Sequence, residues 1–296
     1  MIAVLDIGGT SIKYGMISPS ENFCEILHSG STDSNARMLQ GPGIVEKAAS
    51  IIDRFRQMYP IEGIAVSTAG MVDAESGTIV YANENIPAYT GMELKKILEE
   101  KFLVPCWVEN DVNAAALGEY YHGAGKGSDS MLMMTIGTGI GAAVILKGDI
   151  YRGCSRSAGE IGYMWLDGYH FQDIASTAAL IRNVEKKSGQ VGMNGKTVFE
   201  KAKQGDAICS GEIHALCKRI VKGISNCVCL LNPRTVVLGG GIMSQSEYLR
   251  PMIERYADEY MHDKMRKYTK IEFACLGNTA GMVGAYVYFQ KKEGCL

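Results

Sequence analysis

The sequence predicts an α/β fold made of two related halves. A short apolar strand, a glycine-rich turn and a second apolar arm occur at residues 2–18 and recur at about 131–147. Between them, strand-like apolar runs alternate with stretches of helical spacing. No linker rich in proline or serine separates the copies, so two lobes are expected to share one cleft.

In chain order, Ile2 to Ile7 is an apolar strand ending at Gly8-Gly9, Ile12 to Ser18 is its hairpin partner, and Asn22 to His28 is a third strand. Ile44, Val45, Ala48, Ile52, Phe55 and Met58 line one face of a helix from Gly43 to Tyr59. Ile61 to Thr68 is again strand-like and ends at Ala69-Gly70; Glu93 to Phe102 is helical and Pro105 to Glu109 a strand. The second copy opens near Asn110 with a helix over Asp111 to Tyr121. The arms 130–137 and 139–147 follow. Long helices at about 206–231 and 247–266 alternate with strands Thr235–Leu238 and Lys270–Ala274. The predicted lobes are 1–109 and 110–278, with a last helix, within 279–296, crossing back to the first.

Composition excludes several classes. With 47% hydrophobic and 21% charged residues, this is an ordinary globular chain. A net charge of -2 and no Lys/Arg cluster argue against nucleic acid as a partner. No apolar run nears the roughly 20 residues of a membrane span. Nine cysteines without regular spacing point to free thiols and a reducing cytoplasm rather than a disulfide framework. No Cys-x-x-Cys or Cys/His cluster marks a zinc site.

The candidate chemistry lies in the turns. In Asp6-Ile-Gly-Gly-Thr10, followed by Lys13, bare backbone at Gly8 and Gly9 lets a phosphate approach closely, and Thr10 adds a hydroxyl donor. Asp6 would orient a magnesium ion, directly or through water. Taken singly, this loop reads equally well as a tight hairpin. Its counterpart, Gly137-Thr138-Gly139-Ile140-Gly141, has the same character in the other half, and two matched loops are stronger than one. Neither is a Walker loop or a dinucleotide fingerprint. Gly239-Gly240-Gly241 offers bare backbone to a base or ribose, or simply turns a strand into a helix. At Glu109-Asn110-Asp111, helix capping competes with a role for Asp111 as general base toward a sugar hydroxyl. Asn85, Asn110 and Glu160 are candidate hydrogen-bond partners for sugar hydroxyls.

These segments together resemble the ROK family of sugar kinases and repressors. The resemblance rests on seven motifs in order: Asp6-Ile-Gly-Gly-Thr10, Ser67-Thr68-Ala69-Gly70, Asn85-Ile86-Pro87, Glu109-Asn110-Asp111, Ile136-Gly-Thr-Gly-Ile-Gly141, Ala158-Gly159-Glu160-Ile161-Gly162 and Gly239-Gly-Gly241. It implies a duplicated actin-like, ribonuclease H-like fold with ATP and Mg2+ between the lobes. It also implies Asp111 as base, and Gly70, Asn85, Asn110 and Glu160 at the sugar. Asp173 stands where the family usually has a sugar-binding glutamate. The phosphate and nucleotide positions would be Asp6, Gly8, Gly9, Thr10, Lys13, Gly137, Thr138, Gly139, Gly240 and Gly241. A homodimer is the family expectation. Where the family commonly has a histidine that touches sugar and zinc, this chain has Tyr163, and Gly168 to Asp173 contains no cysteine. That departure resembles the zinc-lacking β-glucoside kinase and N-acetylmannosamine kinase branches; either it relaxes recognition near the sugar's C1 and C2, admitting a glycoside or a 2-substituted hexose, or Tyr163 donates its own hydrogen bond there. A sugar-sensing regulator, the other class in the family, is disfavoured because the first glycine loop starts at residue 6.

Overall fold

The computed structural model describes residues 1–18 and 25–296. The first residues of the strand expected over Asn22 to His28 lie outside the described residues. Two compact units divide the chain: Met1–Gly123 with Arg152–Ser157 and Asn278–Leu296, and Ala124–Tyr151 with Ala158–Gly277.

The first unit contains β1 (Ile2–Ile7), β2 (Ser11–Ile17), β3 (Ile26–Asp33), α1 (Ala36–Met58), β4 (Gly63–Thr68), β5 (Met71–Asp73), β6 (Thr78–Tyr81), α2 (Leu94–Phe102), β7 (Cys106–Asn110) and α3 (Asp111–His122). Its five-stranded sheet runs β3-β2-β1-β4-β7. The first three strands form an antiparallel meander, and β4 and β7 add in parallel. β3 extends well past His28 through a polar stretch, as an edge strand with one solvated side allows.

The second unit begins with β8 (Ser130–Ile136), β9 (Ile140–Leu146) and β10 (Asp149–Tyr151), followed by the small hairpin β11 (Trp165–Leu166) and β12 (Tyr169–His170). Then come α4 (Phe171–Ala175), α5 (Thr177–Ser188), α6 (Gly195–Lys203), α7 (Ala207–Leu231), β13 (Thr235–Gly239), α8 (Ser246–Tyr260), α9 (Asp263–Tyr268) and β14 (Lys270–Phe273). The sheet order β10-β9-β8-β13-β14 repeats the first sheet strand for strand, with the same antiparallel and parallel pairings. The duplication expected from the turns is therefore a duplication of topology.

A final helix, α10 (Ala280–Lys292), belongs to the first unit. Every side from Ala280 to Phe289 is buried, so this is an internal wall rather than an amphipathic surface helix. α3 also lies in the first unit, whereas the sequence reading placed it after the boundary at residue 110. The reason is its contact with α10: a Cβ added to Gly284 would come 1.5 Å from the Ala114 carbonyl oxygen, a spacing that requires glycine. The excursion Arg152–Ser157 is tied to the same unit by ion pairs from Arg152 to Glu109 and from Arg156 to Asp73, the latter at 2.7 Å. The single helix expected over 247–266 is two helices, because Met261 is extended and His262 caps the second. Among the described residues, no helix is long and apolar enough to cross a membrane.

Candidate functional site

In the first unit the topology collects carboxylates at the carboxyl ends of β1 and β7. Parallel pairing sets Asp6 beside Ser67, whose Oγ donates to Asp6 Oδ1 at 2.8 Å. Antiparallel pairing sets Asp6 opposite Lys13, whose Nζ pairs with Asp6 Oδ2 at 3.1 Å. Lys13, read as a phosphate contact, thus holds its ammonium on Asp6. From behind, α10 comes so near that a Cβ on Gly281 would lie 2.9 Å from Asp6 Oδ1. Three elements therefore fix the Asp6 carboxylate.

Asp111 opens α3 directly after β7. Asn110 is the N-cap: its Oδ1 accepts from the N–H groups of Val112 and Asn113 at 3.0 and 3.1 Å, satisfying donors that a helix start leaves open. Its Nδ2 donates to the Gly70 carbonyl and to Asp111 Oδ1, both at 2.9 Å. Val112 N–H also donates to Asp111 Oδ1, at 2.9 Å. Both bonds land on Oδ1, which leaves Oδ2 as the oxygen to take a proton. Burial, and next the charge of Asp6, push the Asp111 carboxyl from 3.8 up to about 6, against the opposing pull of its hydrogen bonds. A carboxylate poised there suits proton transfer near neutral pH. Of the two rival readings of this motif in the sequence, capping falls to Asn110, which leaves the Asp111 carboxylate outside the cap.

Beneath it, Glu109 is 1% exposed and ion-paired to Arg152. Its Oε1 accepts from Asn110 N–H at 2.9 Å and Asn113 Nδ2 at 3.0 Å. This braced charge under the Asn110–Asp111 junction was missed from sequence because its cation lies 43 residues away.

The first glycine loop folds back on itself, Gly8 N–H donating to the Ser11 carbonyl at 2.9 Å, and Ser34 Oγ holds the Gly9 carbonyl at 2.6 Å. Neither Gly8 nor Gly9 has positive φ. Gly9 needs to be small because a Cβ there would crowd the Asn85 Cβ at 3.1 Å, so loop and sugar-site candidate are neighbours. Asn85 lies on a concavity of about 840 Å³ walled by Arg37, Asn83 and Thr90. Gly70 does need glycine, with φ 104. Thr10 is exposed.

In the second unit, a pocket of about 580 Å³ is lined by Gly137, Thr138, Thr177, Lys196, Gly241 and Gln245, among others. The first turns of α5 and α6 open onto it. Helix N-termini carry partial positive charge, so this pocket favours an anion. Thr177 N–H donates to the Gly137 carbonyl at 2.9 Å, tying the loop to α5. Of the five glycine-loop positions expected here, Gly137, Thr138 and Gly241 line the pocket. Gly139 sits in the hairpin turn, where a Cβ would lie 3.0 Å from Gln172 Oε1. Gly240, with φ 101, lies under the Ile136 backbone, 2.3 Å from a built Cβ. Its glycine is a packing requirement.

Glu160, Tyr163 and Asp173 also belong to the second unit. Desolvation raises the Glu160 carboxyl above the ordinary range. Tyr163 closes the short 3-10 turn that starts after Glu160 and is 60% exposed. Asp173 is on α4, its carbonyl accepting from Arg182. Among the described residues, no group of three or more His, Cys, Asp or Glu is placed to hold a metal ion. The Asp6 carboxylate, the magnesium position expected from the sequence, nonetheless fits an ion held directly or through water, since magnesium is commonly bound by one or two carboxylates plus phosphate oxygens and water.

The ROK family model matches residues 2–292. An uncharacterised protein of Clostridium perfringens is 50% identical over 293 residues, covering 98% of both chains. A β-glucoside kinase of Listeria innocua is 30% identical over 302 residues, covering 99% of this chain and 98% of that protein. Among solved structures, a ROK family glucokinase from Streptomyces griseus in complex with glucose and AMPPNP aligns with a TM-score of 0.80. It is 26% identical, over 96% of this chain and 97% of that one. The duplicated α/β architecture is thus the actin-like fold of the sugar kinases.

Proposed function

The chain belongs to the ROK family, and from that premise we propose that it is an ATP-dependent sugar kinase. The γ-phosphoryl group passes to the 6-hydroxyl of a hexose or of a hexose-containing glycoside. The observation that carries this is Asp111, a carboxylate raised to about 6, held through one oxygen and backed by a buried Glu109 paired to Arg152.

Asn110 and Val112 hold Oδ1, so Oδ2 accepts the hydroxyl proton as the sugar oxygen attacks phosphorus. The bond from phosphorus to the bridging oxygen breaks, and ADP departs with that electron pair. Phosphoryl transfer asks mainly for positioning and charge neutralisation. Asp6, Gly8, Gly9, Thr10, Lys13, Gly137, Thr138, Gly139, Gly240 and Gly241 are assigned to the nucleotide and its phosphates. Asp6 would hold Mg2+, directly or through water, and the ion when bound would supply neutralisation of the phosphate charge. Gly70, Asn85, Asn110, Glu160, Tyr163 and Asp173 are assigned to the sugar, Gly70 by setting Asn110.

Likeness to the β-glucoside kinase, together with Tyr163, favours a glycoside or a 2-substituted hexose over glucose. A homodimer in the cytoplasm completes the proposal. The test is a coupled ATP assay against glucose, mannose, N-acetylmannosamine, N-acetylglucosamine, cellobiose and gentiobiose, with phosphate position determined on the product. Asp111→Asn should bind nucleotide and sugar yet lose about 10²–10⁴-fold in kcat, the scale of a lost general base. Near-normal turnover in that variant would remove Asp111 from the chemistry. Sugar binding without any ATP consumption by the wild type would favour a regulator instead.

A further inference from the structure

The second unit carries an aromatic face that neither phosphate binding nor proton transfer uses. The 3-10 turn ending at Tyr163 leads into β11 and β12, and three rings meet there. Trp165 and His170 are directly paired across the hairpin, their ring centroids 4.7 Å apart at 35°. Tyr163 meets the His170 ring edge-on at 5.9 Å and 85°. Trp165 is 68% and Tyr163 60% exposed.

The hairpin that carries these rings is braced. Its two-residue turn, Asp167-Gly168, takes positive φ at both positions, 51° and 85°, the geometry of a tight hairpin. Asp167 is clamped to α7 by Lys222 Nζ at 2.8 and 2.9 Å. His170 Nδ1 bonds the Tyr163 carbonyl at 2.9 Å, fixing the imidazole that spaces the other two rings. Leu166 and Phe171 are buried on either side of the turn. The chain therefore holds an exposed indole and phenol in place, so binding them orders little that is not already ordered.

We infer that Trp165 and Tyr163 form a stacking platform for the second ring of a glycoside acceptor. This deepens the sugar-kinase reading and rests on it. The faces of aromatic rings are negative, and the axial C–H groups of a pyranose are polarised the other way, so a sugar ring lies flat on an indole. The placement suits the second ring rather than the phosphorylated one. Tyr163 N–H donates to the Glu160 carbonyl at 3.2 Å, so the platform continues directly from a residue assigned to the hexose. Trp165 follows two residues after Tyr163 and is the more exposed of the two rings. Area also decides. At about 150–250 Å² per aromatic side chain, the exposed parts of the two rings amount to about 250 Å². That is ample for one sugar ring and far below the roughly 800 Å² each partner gives to a stable protein interface.

The test compares free hexose with disaccharide. Trp165→Ala should raise KM for cellobiose or gentiobiose at least about tenfold, with kcat within about twofold and glucose kinetics unchanged. Trp165→Phe should recover most of the loss. The chain has two tryptophans, so Trp107→Phe leaves Trp165 as sole reporter. Its emission should then respond to cellobiose and stay silent with glucose. Equal effects of Trp165→Ala on both sugars, no effect on either, or refusal of both disaccharides by an enzyme that phosphorylates glucose would overturn the platform and leave the kinase standing. A change of oligomeric state in Trp165→Ala would overturn it in favour of a contact between copies. If no sugar consumes ATP, the kinase reading fails on its own, while the fluorescence titration still decides whether Trp165 meets a disaccharide.

Discussion

Asp111→Asn should make the ligand-free protein more stable, and only where the carboxylate is charged. Burial and the nearby charge of Asp6 raise the Asp111 carboxyl from 3.8 to about 6. The folded chain therefore holds that proton more tightly than the unfolded chain does. The carboxyl favours the fold in acid, and this contribution is lost as pH rises from about 3.8 through about 6. Each tenfold change in proton affinity is about 1.4 kcal/mol, so the ionised group costs about 3 kcal/mol above that window. An amide in its place carries no charge. Its oxygen can keep the bonds from Asn110 and Val112. Urea unfolding of both proteins at pH 7.5 should show the variant more stable by up to about 3 kcal/mol, and the gap should close near pH 3.8. A gain independent of pH, or a loss at pH 7.5, would refute the claim that burial and Asp6 strain this carboxylate.

Arg152→Met strands Glu109, a carboxylate that is 1% exposed; we expect a loss of about 3–5 kcal/mol in urea unfolding, largely relieved by adding Glu109→Gln. Gly281→Ala would set a methyl 2.9 Å from Asp6 Oδ1, and kcat should fall at least about tenfold in a steady-state assay while thermal stability changes little beyond the displaced carboxylate. Gly240→Ala faces both φ of 101° and an Ile136 carbonyl 2.3 Å away; calorimetry should show nucleotide affinity reduced at least about tenfold or the second unit destabilised by about 3 kcal/mol or more.

What could be read in advance follows how locally each feature is encoded. The strands ending in Gly8-Gly9, Ala69-Gly70 and Gly239 announce themselves, because apolar runs stopped by glycine are local signals. Helices α5 and α6 were not predicted. They are short, 12 and 9 residues, and although both hold good helix formers, α6 starts on glycine; packing of both on α7 completes them. Asp6 and Asp111 were legible as lone carboxylates at strand ends. The groups that tune them were not. Ser67 reaches Asp6 through parallel register across 61 residues, and Gly281 through a helix near the far end of the chain. Glu109 looked like part of a motif, and only tertiary structure supplies Arg152. The helix of Asp111 fell on the other side of the expected boundary because nothing in its own residues reveals α10.

The first unit is assembled from three separated pieces of chain, and α10 comes last among them. On a ribosome, the amino-terminal sheet would emerge early and wait, one face of β1 and β4 uncovered, until more than half the protein had followed. The second unit, whose last strand precedes α10, can close first. Synthesis order and completion order are thus reversed. The carboxylate pair that the proposed chemistry needs is among the last features of the molecule to be set in place.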